Sequence, residues 1–292
     1  MKYLKLFDTH TQYSSYIGGN PSLPNVSHCV QEDDMHYKPY DYSRDYLTFE
    51  TLESGTFKFK GGTSANTLQY SLDNGNTWTT LAHNTDSPTI AAGSNVLWKG
   101  SDLTINNNGI GIFSSTGTFN AKGNVMSLLF SSNFRGQTSL SGKDKAYKYL
   151  FSGCTKMVSA ENLILPATTL ASSCYDRMFL GCSGLTTAPE LPATTLAVSC
   201  YENMFNHCSG LTAAPVLPAT TLANYCYRYM FANCANLSYI KAMFTATPGQ
   251  STASWLSGVA STGIFVKNSA AQWNVTGANG IPNNWTVVMA SS

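Results

Sequence analysis

Apolar residues first fall at every second position. Leu47 and Phe49, Phe57 and Phe59, and Leu68, Tyr70 and Leu72 alternate with polar neighbours. Tight-turn sequences separate them at Glu53-Ser-Gly55 and Asp73-Asn-Gly75, and further short runs follow at Val96–Trp98, Ile110–Phe113 and Gly117–Phe119. A period of two with regular turns predicts short strands, here a small β-sandwich over about 46–130. Beyond 146 the period changes to four. Leu170, Cys174, Met178 and Cys182 recur at that spacing with Phe179 beside them, which reads as one face of a short helix. Pro189 and Pro192 forbid a helix in the stretch that follows, so it reads as extended.

The four-residue pattern is itself repeated. LPATTLA occurs at 165–171, 191–197 and 217–223, a step of 26, and the same step carries Cys174/Cys200/Cys226, Tyr175/Tyr201/Tyr227 and Cys182/Cys208/Cys234. The unit is LPATTLAxxCYxxMFxxCxxLxxAPx: a strand, a bend and a helical turn. Such a unit cannot bury its apolar face alone, so successive units are expected to stack into a solenoid. Residues from Ala146 to Cys154 form a degenerate first unit, and the pattern is lost after Phe244. The expected fold class is therefore mixed β/α. Its parts are an N-terminal docking segment over 1–45, a β-sandwich over 46–130, a leucine-rich solenoid over 131–245 and a C-terminal cap over 246–292 that hides the last strand edge.

This repeat resembles the BspA-like branch of leucine-rich repeats, in which an F-x-x-C turn precedes an L-x-x-I/A-P strand. The resemblance covers about 146–240. It implies a surface protein of the kind found in gut Bacteroides-type bacteria and their phages, including crAss-like phages. The opening, KLFDTHTQYSSYI…LPNVSHCVQEDDMHY, is similar to the first residues of phage and prophage fibre-like proteins. Together these imply a virion fibre or decoration protein. Its partners would be other virion proteins through the N-terminal segment and a host-surface glycan or protein, and it would form a homo-oligomer, with a trimer as the guess. The alternatives are a bacterial cell-surface adhesin or interaction module and, last, a glycan-processing enzyme.

Composition narrows the choice. The 292 residues carry 17 Lys+Arg and 16 Asp+Glu, and charged residues are only 11%. Thr, Ser and Asn number 32, 33 and 24, so hydroxyls and amides supply the polarity. The balance argues against a nucleic-acid partner. No stretch is apolar for long enough to span a membrane, and the first residues carry no export signal. That absence favours a phage particle over a cell envelope.

Candidate chemistry is sparse. Ser71, Asp73, Gly75 and Trp78 match the Asp-box S-x-D-x-G-x-T-W, read as a structural turn in which Asp and Ser serve the backbone. A sialidase would need an arginine cluster, and the chain has four arginines, at 44, 135, 177 and 228. The paired cysteines sit eight apart, on a helix too distant for a disulfide. Close-spaced ligand pairs for zinc are missing; His28, Cys29, Asp33, Asp34 and His36 are a weak metal candidate. No catalytic residue, metal or cofactor is expected. The binding candidates are the ladder Tyr175, Tyr201 and Tyr227, either a sugar platform or rings packed on the next unit. Beside them are the positions that vary between units: Asp176-Arg177, Glu202-Asn203, Arg228-Tyr229 and Asn206-His207.

Overall fold

The computed structural model describes residues 29–33, 36–39, 41–60, 68–100 and 113–290. The chain divides into two compact units, 1–42 and 43–292. In the first, β1 (Cys29–Asp33) pairs antiparallel with β2 (His36–Pro39), with an irregular register between Gln31 and Asp33.

The second unit opens with β3 (Leu47–Thr51), β4 (Phe57–Phe59), β5 (Leu68–Ser71), β6 (Thr79–Leu81), β7 (Asn95–Gly100), β8 (Phe113–Ser115) and β9 (Phe119–Asn124). Strand β3 is central, antiparallel to both β7 and β9, and β5 joins β7 to β6. Strands β4 and β8 form a separate antiparallel pair. Alternation puts Phe49, Phe57, Phe113 and Phe119 inside, where Phe49 lies 5.1, 5.0 and 4.8 Å from the other three ring centres. Tilted and edge-on rings at this range add about 0.5–1.5 kcal/mol per pair beyond their buried area. After β9 comes α1 (Ser127–Phe130), the only α-helix among the described residues. The Ser127 hydroxyl ties it to the sheet, donating to Trp98 O at 2.8 Å and accepting from Leu47 N at 3.0 Å.

The expected mixed β/α class is therefore corrected: the described chain is mostly β-sheet and turns, with one four-residue helix. The helical half of each repeat does not exist. A period of four also belongs to a string of tight turns with one left-handed residue in each, and the repeat uses that solution. In the unit that starts at Leu170, φ is +54° at Ser173, +57° at Arg177 and +72° at Gly181. The same pattern holds at Ser199, Asn203 and His207, and at Tyr225, Tyr229 and Asn233. Backbone donors then alternate. The N–H groups of Asp176, Met178 and Leu180 donate three residues back, to Ser173, Tyr175 and Arg177 O, at 3.1, 3.2 and 3.2 Å. Those of Tyr175, Arg177 and Phe179 donate to Cys200, Glu202 and Met204 O of the next rung, each at 2.9 Å. An α-helix would keep all of these bonds within itself. The left-handed non-glycine residues cost about 1 kcal/mol each, and the rung-to-rung bonds offset that cost.

Packing is continuous across 130 and across 245. Strand β9 also pairs in parallel with β10 (Met157–Ser159) and β11 (Leu163–Ile164), so the first sheet continues into the repeat. At the far end β12 (Tyr239–Ala242), β13 (Ile264–Lys267) and β14 (Thr286–Met289) form a parallel sheet that joins the repeat to the tail. One hydrophobic core runs from Leu47 to Trp285. In the tail, Trp255 stacks on Tyr227 and Trp273 on Phe244, at 6.3 and 5.2 Å. All three tail indoles donate to backbone oxygens, of Gly280, Phe244 and Ala260. Strand β13 covers β12 and the edge passes to β14: Val287 and Met289 are 44% and 54% exposed, whereas Phe265 and Lys267 opposite them in register are buried.

Candidate binding face

The tyrosine ladder lies inside the molecule. Tyr175, Tyr201 and Tyr227 are at most 2% exposed, and with Tyr147 they form a stack at 5.5, 5.7 and 6.1 Å with rings within 10° of parallel. A platform for sugar rings needs an open face, so these three residues are corrected to core positions. Phe151, Phe179, Phe205 and Phe231 form a second stack at 5.2 to 5.5 Å.

The cysteines complete this frame. Cys182, Cys208 and Cys234 each donate Sγ–H to a phenylalanine carbonyl on the preceding rung, of Phe151, Phe179 and Phe205, at 3.0, 3.1 and 3.0 Å. All seven cysteines from 154 to 234 are buried and unbridged. Burial pushes the thiols of Cys154, Cys174, Cys226 and Cys234 up to about 12, and those of Cys182, Cys200 and Cys208 well above their usual range. The eight-residue spacing thus marks two places in the turn string, one of which is a hydrogen-bond donor to the neighbouring rung.

The positions that vary between units do come together, in two columns that cross the rungs. Lys148, Asp176, Glu202 and Arg228 occupy one place on four successive rungs. Lys148 Nζ lies 2.9 Å from Asp176 Oδ2, Arg177 Nη1 contacts both Asp176 oxygens at 2.9 and 2.7 Å, and Arg228 grips Glu202 Oε1 through Nε and Nη2. Both carboxylates are buried, Asp176 at 2% and Glu202 at 5% exposed. Burial raises the Asp176 carboxyl above its ordinary 3.8, against the pull of Lys148 and Arg177.

Tyr149, Arg177, Asn203 and Tyr229 make the second column, one place along, and each has a left-handed backbone. Arg177 lies over the Tyr149 ring at 5.6 Å, and Arg228 over Tyr225 and Tyr229 at 4.5 and 5.9 Å. Tyr229 is 40% exposed. Amides extend the face: Asn206 donates to Asn203 Oδ1 at 2.9 Å, and Asn233 Nδ2 lies 3.2 Å from His207 Nε2. Sequence reasoning named Asp176, Arg177, Glu202, Asn203, Asn206, His207, Arg228 and Tyr229 from their variation but not Lys148, Tyr149, Tyr225 or Asn233.

The Asp-box closes on itself. Ser71 Oγ donates to Asp73 Oδ1 at 2.7 Å and accepts from Gly75 N at 2.8 Å. Asp73 accepts from Thr77 N and Thr77 Oγ1 at 2.9 and 2.7 Å, and Trp78 Nε1 donates to Gly75 O at 3.0 Å. The Thr77 hydroxyl and N–H, with Ser71, hold the Asp73 carboxyl down at about 2. Among the described residues no three His, Cys, Asp or Glu side chains converge as metal ligands. Of the candidate metal group, His28 and Asp34 lie outside the described residues, as does most of the docking segment. In comparison with known proteins, no family model, no curated protein and no solved structure matches the chain.

Proposed function

We propose that the protein is a non-enzymatic structural component of a phage particle, a fibre or decoration protein, and that its repeat holds an adhesive face toward the host surface. The observation that carries this reading is the division of labour within each rung. Ring stacks, thiols and rung-to-rung backbone bonds fix the frame, while the charged, aromatic and amide side chains that differ from rung to rung stand together along one face. A rigid element with exchangeable outward residues suits recognition, because little conformational entropy is lost on binding. The reactive-looking groups support a non-catalytic role: the repeat thiols are buried, and the Asp73 carboxylate is fully engaged in its turn. The particle assignment draws on the resemblance of the opening segment and the repeat.

Mass spectrometry of purified particles from a host culture tests the location; absence of the chain there removes the particle assignment. Purified protein added in excess is expected to compete with adsorption, and Tyr229→Ala is expected to weaken that competition without changing the melting curve. Competition that Tyr229→Ala leaves intact excludes the proposed face.

A further inference from the structure

Prolines open a second side of the repeat. Pro166, Pro192 and Pro218 stand at one place on three rungs, and Pro189 and Pro215 at another. Proline has no N–H to give to a ladder. Rung-to-rung bonds are made just before this stretch, from Thr186 N to Val158 O and Ala160 N to Thr187 O at 2.8 and 3.0 Å. Among the described residues none joins 188–192 to 214–218. Two adjoining cavities lie where the ladder stops. One, of about 250 Å³, is lined by Glu161, Ile164, Leu165 and Pro166; the other, of about 490 Å³, by Pro189, Leu191, Pro215 and Val216. Glu190 and Pro192 line both, forming the ridge between them.

The chemistry of the walls is selective. Neither cavity has an aromatic, hydroxyl or amide side chain in its lining, so the usual groups for holding a sugar are missing. The walls are aliphatic, and Val216 is 46% exposed. Glu161 and Glu190 are exposed at the rim, no basic residue lines either cavity, and neither carboxylate belongs to an ion pair among the described residues. Ile164, Glu190 and Val216 share one place on three rungs, so an acidic group stands between two aliphatic ones.

We propose that this groove binds an extended peptide segment of a partner protein in which a basic residue has an apolar residue two positions away on either side. Neighbouring rungs are spaced like their stacked rings, 5.2 to 6.1 Å. Residues i and i+2 of an extended strand lie about 6.6 Å apart, so side chains on one face of the peptide meet successive cavities. A basic residue then reaches Glu190, and the apolar residues two positions to either side of it meet Ile164 and Val216 and cover the proline walls. This site is distinct from the face proposed for the host surface and stands whether or not the chain belongs to a particle.

Fluorescence anisotropy with the full chain tests the proposal, using a labelled Ser-Val-Ser-Arg-Ser-Val-Ser peptide. It is expected to bind at least about tenfold more tightly than counterparts with Glu for Arg or Ser for Val. Glu190→Gln is expected to weaken binding about tenfold, equivalent to about 1.4 kcal/mol, and Val216→Ser severalfold, with near-UV circular dichroism unchanged. Tyr229→Ala leaves the affinity unchanged if the peptide occupies this groove. No binding at about 1 mM protein, equal binding of the acidic peptide, indifference to Glu190→Gln, or a loss caused by Tyr229→Ala each overturns the proposal.

Discussion

Asp176 and Glu202 occupy the same place on neighbouring rungs, and they share no cation: Asp176 is neutralised by Lys148 on its outer side and by Arg177 on its own rung, Glu202 by Arg228 on its outer side. The column reads plus, minus, minus, plus along the array. Two buried carboxylates can be neighbours because the ends of the column, with Arg177 beside it, supply the compensating charge.

Removing one end leaves a buried, unpaired carboxylate, the costly half of a broken ion pair. Arg228→Met is therefore expected to destabilise the fold by about 1–3 kcal/mol, the partial exposure of Arg228 reducing the effect. The double variant Glu202→Gln/Arg228→Met is expected to recover most of that loss in urea unfolding. Additive losses would show that the pair is uncoupled.

The two perturbed aspartates give stability opposite slopes with pH. Asp176 has a raised pKa in the fold, so the folded chain binds more protons there than the unfolded chain. Its favourable contribution is complete below 3.8 and is lost as pH rises through the folded value. Asp73 is held at about 2, so its contribution is present above 3.8 and lost as pH falls through about 2. Urea midpoints against pH check both: Asp73→Asn is expected to flatten the acid limb between about pH 4 and 2, and Asp176→Asn to remove a decline above about pH 4.

The Tyr175 hydroxyl is buried and has no hydrogen-bond partner among the described residues, whereas that of Tyr147 reaches Val125 O at 3.3 Å. A buried polar group without a partner costs about 1–3 kcal/mol. Tyr175→Phe keeps the ring stack and removes that cost, so it is expected to raise stability by up to about 1 kcal/mol in thermal unfolding. Tyr147→Phe is expected to lower it.

Thiol reactivity reports on the frame. Thiolates react, and burial suppresses the thiolate form of all seven cysteines from 154 to 234. Iodoacetamide at about pH 8 is expected to leave these seven unmodified in the folded chain and to alkylate all of them in denaturant, as peptide mass mapping would show. Modification of any of the seven at native conditions would mean that its rung opens.

His207 holds φ at +62°, where the equivalent residues of two earlier rungs are Gly153 and Gly181 at +73° and +72°. Glycine adopts this region without the steric penalty of a Cβ. His207→Gly is expected to stabilise by about 0.5–1 kcal/mol, less whatever the 3.2 Å contact with Asn233 contributes. A lower melting temperature would show that this contact outweighs the backbone relief.

The sequence made the repeat and its 26-residue step plain, because identical side chains must meet identical neighbours. It misled on what a spacing of four meant. Leu170, Cys174, Met178 and Cys182 would line one face of a helix, but they equally line the inside of a turn string, and side-chain identity does not separate the two. The left-handed positions were the available signal: Gly153, Gly181 and Asn233 recur at one of those places and Asn203 stands at another, and glycine and asparagine are poor residues for a helix interior. Of the candidate site, Arg177, Glu202, Arg228 and Tyr229 were legible as positions the core does not dictate. Tyr175, Tyr201 and Tyr227 were not, since an amphipathic ring suits an exposed ladder and a buried stack alike.

Backbone donors that alternate between their own rung and the next have a consequence for length. Every odd donor from Ser173 to Gly181 finds its acceptor 25 residues onward, and the same offset recurs from Ser199 to His207. A 26-residue block inserted between these rungs would meet the same acceptors, the same rings and the same thiol donors on both sides. The reach of the protein is thus an adjustable dimension, set by counting units, and each added unit would bring a fresh set of outward residues while the interior stays constant.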